Sequence, residues 1–143
     1  MIKDIEYLCV GTFSPWKRQR DIAHLGNRLW LVGTIQPDGQ EDYQACVKNG
    51  CTIEVGYFPA EHIRDLYRRA KHVLIPAIHG SERTCLEALS MNILPEVNPE
   101  NVEAHQDVAA MYVRSGKVPE ARAHLEKVIS LSEQGYNKGF LFV

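Results

Sequence analysis

The sequence predicts an α/β protein: a doubly wound parallel sheet followed by a C-terminal α-helical hairpin. Three observations carry this. Through the first two thirds of the chain, short apolar runs alternate with polar, helix-like stretches. The runs are apolar almost throughout instead of at every second position, which marks strands covered on both faces, as in a parallel sheet flanked by helices. From Asn98 on the pattern changes, with two helical stretches and no convincing strand before "GFLFV".

"IEYLCVGT", "RLWLVGT", "CTIEVGYF" and "HVLIPA" read as the strands, the second and fourth being the most continuously apolar. The polar stretch beginning "WKRQR" reads as a helix start after the first strand. "EDYQACVKNG" reads as a helix closed by Gly50, a residue suited to the left-handed backbone of a C-terminal cap. In "AEHIRDLYRRA", Ile63, Leu66, Tyr67 and Ala70 recur at helical spacing with the charges opposite, which makes an amphipathic crossover helix. "SERTCLEALSMN" follows the fourth strand as a helix with Ser81 as its N-cap. Pro99 interrupts the chain. Val102 to Ser115 then forms one helix, Gly116 a turn and Pro119 to Ser132 a second helix, with proline at its permissive start. Ala109, Tyr112, Ala121, Leu125, Val128 and Ile129 form the expected facing stripe. The predicted division is residues 1–97 as the sheet domain and 98–143 as a helical hairpin packed on it, plus a tail.

Composition narrows the function classes. With 143 residues, 45% hydrophobic, 24% charged and a net charge of −2, the chain has room for one core and lacks the basic excess of a nucleic-acid-coating protein. No nucleic-acid partner is expected. Cys9, Cys46, Cys51 and Cys85 show no C-x-x-C spacing and mostly sit in apolar stretches, as free buried thiols do, so a reduced, cytoplasmic setting is expected. No apolar run reaches membrane-spanning length and "MIKDIEYL" lacks a signal peptide's layout, so neither a transmembrane segment nor a leader is expected.

In doubly wound sheets, ligands sit outside the carboxyl ends of the strands. Glycine or proline follows every strand here, and the cations Lys17, Arg18 and Arg20 gather after the first, behind Gly11 and Thr12. Cations beside a helix N-terminus suit a phosphate or diphosphate. The pattern alone favours a solvated helix start for the same run. After the fourth strand comes "IHGSERTCLEALS", in which Arg83, Thr84 and Glu87 share a helix face. Glu87, being acceptor-only, could hold a pair of sugar hydroxyls at the mouth of that helix. Periodicity alone favours a surface glutamate paired with Arg83.

Four collinear segments, "VGTFSPWKRQRDI", "LWLVGT", "IEVGYFPAEHIRDLYRRAKHVLIPA" and "GSERTCLEALSMNILP", together resemble the donor-binding C-terminal half of GT-B glycosyltransferases, in particular the retaining enzymes of family 4. The resemblance covers roughly residues 5 to 97. It implies a Rossmann-like domain that binds a nucleotide-activated sugar donor and transfers the sugar with retention of configuration. No cofactor and no bound metal are implied, and the chain shows no D-x-D sequence. By position, Lys17 matches the lysine on the donor diphosphate, with Arg18 beside it. Glu87 matches the second glutamate of the E-x7-E motif, which holds the ribose. Gly56, Tyr57 and Phe58 match a loop bordering the base. His79, Gly80, Ser81, Glu82 and Thr84, in the segment leading to Glu87, are further candidate donor-binding residues.

The departures from the pattern are specific. Thr12 replaces an arginine that contacts phosphate, leaving Arg18 as the candidate to compensate. His79 stands where the first glutamate of E-x7-E belongs, with Glu82 three residues displaced. The glycine-rich loop and final strand expected after Leu94-Pro95 are replaced by helix, and the acceptor-binding N-terminal half is absent from the chain. A partner chain or homo-oligomer is therefore expected to supply the acceptor side. Within the helical part, Ala109, Tyr112, Gly116, Ala121 and Leu125 resemble the characteristic positions of a single tetratricopeptide-type hairpin, with Glu133 in place of its closing proline. One such hairpin cannot form an array, which points to packing against the sheet domain. Two other readings remain: a non-enzymatic nucleotide-binding relic or protein-interaction module, and an unrelated flavodoxin-like or epimerase-type sheet.

Overall fold

The computed structural model describes residues 2–78, 83–91 and 93–137. Five strands, β1 (Ile5–Val10), β2 (Leu29–Gly33), β3 (Thr52–Val55), β4 (Ala70–Ile75) and β5 (Glu96–Val97), form one sheet in the order β3-β2-β1-β4-β5. Every pairing is parallel, with Val10 opposite Val32, Leu8 opposite Val73 and Leu31 opposite Ile53. The helices are α1 (Gln40–Lys48), α2 (Ala60–Arg69), α3 (Arg83–Ser90), α4 (Val102–Arg114) and α5 (Val118–Asn137). Among the described residues no helix is long and apolar enough to cross a membrane.

The continuous apolarity of the strands is used on both faces. Leu8, Val32 and Val73 point to one core with Leu66 and Tyr67 of α2, while Cys9, Leu29 and Leu31 point to the other with Cys46 of α1 and Phe13. Burying side chains such as Leu66 contributes about 1.5–3 kcal/mol each, so the amphipathic spacing of α2 suffices to fix which face it lays on the sheet. Ala70 belongs to β4 instead of closing α2 and is fully buried beneath that helix.

Three features differ from the sequence expectation. The crossover from β1 to β2 is a chain of 3₁₀ turns, Pro15–Lys17, Gln19–Asp21 and Ala23–Arg28, and not an α-helix. Arg18 and Gly26 take positive φ (63° and 61°), which interrupts any α-helical ladder, and buried Gln19 turns inward to donate from Nε2 to the Thr12 carbonyl at 2.8 Å. A short fifth strand exists where none was expected. Its two residues pair with Leu74 and Ile75, too brief a run to show an apolar signature. On α5, Ala121 is buried against α4 and His124 meets His105 across the hairpin, but Leu125 and Ile129 are 44% and 58% exposed and do not join the facing stripe. The contact line runs through Ala121 and His124, which turns Leu125 and Ile129 outward.

The hairpin is stitched to the sheet by the turn "NPEN". Asn98 donates its backbone N–H to Ile75 O (2.9 Å) and its side-chain amide to Pro76 O (2.8 Å). Buried Asn101 donates from Nδ2 to Ala77 O (2.9 Å), while its Oδ1 caps α4 by accepting from Ala104 N (3.0 Å). Ala104 and Val108 then pack on Ile75, Cys85 and Leu89. The sequence-predicted N-cap Ser81 and the tail "GFLFV" lie outside the described residues.

Candidate functional site at the strand ends

A cleft of about 400 Å³ opens at the carboxyl edge of β1, β2 and β3 and is closed on one side by α3. The chain runs outward from β1 to β2 and β3, then returns to β4 on β1's other side, so the β1–β4 boundary is the topological switch point where such sheets bind ligands. The floor is built from backbone approach. A Cβ on Gly33 would stand 2.0 Å from the Gly11 carbonyl oxygen, so only glycine lets the two strand ends lie this close. Gly11 N donates to Val32 O (2.9 Å) and Gly56 N to Gly33 O (3.1 Å), carrying the ladder through three successive glycines to the cleft edge.

Seven sequence-predicted residues line this one cleft: Gly11, Thr12, Lys17, Tyr57, Phe58, Thr84 and Glu87. Lys17 is presented by the first 3₁₀ turn, its ammonium 4.4 Å from the centre of the Trp16 ring. Thr84 is buried and donates from Oγ1 to Val10 O at 2.7 Å, tying the first turn of α3 to the end of β1. Glu87, one turn later on the same helix face, is half-buried at the cleft wall. Tyr57 is 94% exposed at the rim, whereas Phe58 tucks inward, with its ring centre 5.2 Å from that of His62. His62 Nε2 in turn lies 2.8 Å from Glu54 Oε1, and Glu54 Oε2 accepts from Trp30 Nε1 at 2.7 Å, so the loop after β3 is buttressed from behind.

Arg18 does not join the cleft. Its left-handed backbone turns the side chain to Asp21, with Nε donating to Oδ2 at 2.6 Å, and it lines a neighbouring depression. Arg20 pairs with buried Asp42 (3.2 Å) and with Glu41 (3.4 Å), and the Asp42 hydrogen bond keeps its guanidinium firmly protonated. The cation cluster after the first strand is thus one cleft lysine and two internally matched arginines. His79, Gly80, Ser81 and Glu82 lie outside the described residues. Among the described residues no group of three or more His, Cys, Asp or Glu is placed to hold a metal ion.

Thr34 is a cleft residue that the site reading did not single out. Its hydroxyl meets that of Thr12, and its carbonyl accepts from Phe13 N (2.7 Å) and Thr12 Oγ1 (3.0 Å). The available signal was a repeated tripeptide: Val-Gly-Thr closes both the first strand, at 10–12, and the second, at 32–34, and parallel register sets the two copies side by side.

No protein-family model matches the chain, and no curated protein matches it by sequence. Among solved structures it is similar to the catalytic domain of cholesterol-alpha-glucosyltransferase from Helicobacter pylori, at 19% identity and a TM-score of 0.56. The likeness shows the fold. It covers 91% of this chain and 99% of that one. The chain has a Rossmann-like α/β architecture that matches a GT-B half in fold, with helical elements at its C-terminus.

Proposed function

We propose that this chain is a glycosyltransferase-type domain that binds a nucleotide-activated sugar in the strand-end cleft. The observation that carries this reading is the convergence of Lys17, Thr84, Glu87 and the Tyr57–Phe58 loop on one cleft at the carboxyl ends of β1, β2 and β3, against the helix that follows β4. Lys17, on the β1 side, takes the diphosphate. Glu87, on α3, accepts hydrogen bonds from ribose hydroxyls, and the loop after β3 borders the base. Transfer breaks the bond between the anomeric carbon and the diphosphate oxygen, and the lysine's charge stabilises the electron pair that leaves with the diphosphate. In this proposal transfer is retaining, residues 1–97 form the donor-binding domain in the cytoplasm, and residues 98–143 buttress it through the hairpin. The acceptor half comes from a partner chain or a second copy.

A second reading, a nucleotide-binding relic or interaction module without transfer activity, draws support from Arg18. With Arg18 and Arg20 turned to carboxylates, Lys17 is the one lysine or arginine among the described cleft residues, where a diphosphate is commonly met by more than one. Thermal-shift measurements with a panel of nucleoside diphosphates test the binding claimed by the transferase and by the nucleotide-binding relic, and no stabilisation by any of them rejects both of these and leaves the interaction module. Hydrolysis of a nucleotide sugar, which needs no acceptor sugar, then separates enzyme from binder: released sugar is expected of the transferase and none of the relic.

A further inference from the structure

α5 turns one apolar line away from the rest of the protein. The helix packs on α4 through Ala121 and His124. Val118, Leu125 and Ile129 stay 54%, 44% and 58% exposed. Steps of seven and four residues bring the three within about 40° of one another around the helix axis, as a seam roughly 16 Å long. Exposed apolar side chains scattered singly need no explanation, but three in line on one helix make a face suited to a second helix.

The seam has α4 on one side and charge on the other. Arg122 and Glu126 are exposed, four residues apart, on the flank away from Ala121 and His124. Within one helix, arginine ahead of glutamate is the weaker order for such a pair, which leaves both groups to a second chain. An antiparallel copy of α5, related by a two-fold axis level with His124, sets Arg122 against Glu126 of the second copy and Glu126 against Arg122 of the second copy. The same register brings Val118 within one residue's rise, about 1.5 Å, of Ile129 of the second copy and puts the two Leu125 side chains together at the centre. A parallel pair would turn each Arg122–Glu126 flank onto the α4 side of the other copy and lose the match. We propose that α5 forms a two-fold, antiparallel contact with a second copy of this chain, centred on Leu125 and set in register by reciprocal Arg122–Glu126 pairs. One helix pair buries less than the roughly 1,200 Å² of a standard interface, so the dimer is weak, with a Kd in the micromolar range or above. The contact stands independently of any ligand in the strand-end cleft.

Sedimentation velocity and light scattering on the full chain, from roughly 10 µM to 1 mM, should show a concentration-dependent monomer–dimer equilibrium. At low salt, Arg122→Glu and Glu126→Arg should each weaken it by roughly three- to thirtyfold, because either change sets like charges opposite each other at two points. An equimolar mixture of these two variants should associate again, since both contacts then join opposite charges. Leu125→Lys should weaken the dimer by at least about tenfold while leaving the helix content and melting of the monomer in place, as expected of an exposed position. A chain that stays monomeric at the highest concentration overturns the proposal. So does a dimer that Leu125→Lys leaves intact. If Leu125→Lys weakens the dimer but the mixture associates no better than either charge variant alone, the two-fold register is wrong.

Discussion

Replacing Gly33 with alanine tests how the cleft floor is made. The new methyl carbon would stand 2.0 Å from Gly11 O, 2.6 Å from Gly11 C and 3.1 Å from Thr12 N. All three are backbone atoms, so no side-chain rotation relieves the contact and the ends of β1 and β2 must part. Three hydrogen bonds are at risk: Gly11 N to Val32 O, Phe13 N to Thr34 O and Gly56 N to Gly33 O. Losing two of them costs about 2 kcal/mol and overpacking a further ~1–3 kcal/mol, offset by ~0.4–1 kcal/mol from the stiffer unfolded chain. The net expectation is about 2–5 kcal/mol of destabilisation, read as a lower urea midpoint at unchanged slope. Gly50→Ala is the control. Gly50 has φ 79° but open space around its Cβ position, so it should cost only the conformational penalty of about 1 kcal/mol. Equal stability of Gly33→Ala and wild type would refute the close approach of the strand ends.

Thr84→Val removes the hydroxyl that joins α3 to the Val10 carbonyl. It should cost about 1–3 kcal/mol in urea denaturation and weaken any nucleotide binding more than an equally destabilising change in α5 does. His105 and His124 meet Nδ1 to Nδ1 at 2.8 Å between α4 and α5, with Tyr112 stacked on His124 and Lys127 adding positive potential. Burial lowers the pKa of both, and for His105 the neighbouring His124 and Lys127 lower it further. The unfolded chain therefore binds protons first, so stability is fully present above an ordinary histidine pKa of about 6.5 and falls as pH drops from there through the depressed folded values. A stability profile from pH 8 to 5 should show this loss, and His124→Gln should flatten it; equal slopes in the two proteins would contradict the assignment. Burial pushes the Cys46 thiol up to about 12, so it should resist alkylation at pH 8 in the native protein and react once urea unfolds it.

The sheet was legible because its signal is redundant. Runs such as "RLWLVGT" and "HVLIPA" must bury both faces, and helical spacing in "AEHIRDLYRRA" places Leu66 and Tyr67 on the core, so period and position agree. What escaped has specific causes. The 3₁₀ crossover depends on left-handed Arg18, a conformation that no propensity assigns to arginine, and on Gln19 reaching back to the Thr12 carbonyl. β5 has two residues and exists because β4 offers an edge to it. The outward turn of Leu125 follows from the His105–His124 contact, a tertiary pairing that helical period alone cannot rank above an apolar stripe. At the site, periodicity left Lys17 and Glu87 open to a solvated reading, and the order of the four segments resembling a donor-binding half singled them out; the structure places both, with Thr84, on one cleft. The diversion of Arg18 to Asp21 needed the backbone geometry.

The central claim, that the strand-end cleft binds a nucleotide-activated sugar, is tested most directly by titration calorimetry of nucleoside diphosphates into the folded protein and its Lys17→Ala and Glu87→Ala variants. The account predicts binding to wild type at or below millimolar concentration. Each substitution should weaken it by roughly ten- to a hundredfold, the loss of one charge-assisted contact. The two losses should differ in kind: Lys17→Ala reduces the salt dependence of binding, while Glu87→Ala narrows the preference for ribose over deoxyribose ligands. A folded wild-type protein that binds no nucleoside diphosphate at millimolar concentration would contradict the claim, as would binding that neither substitution changes.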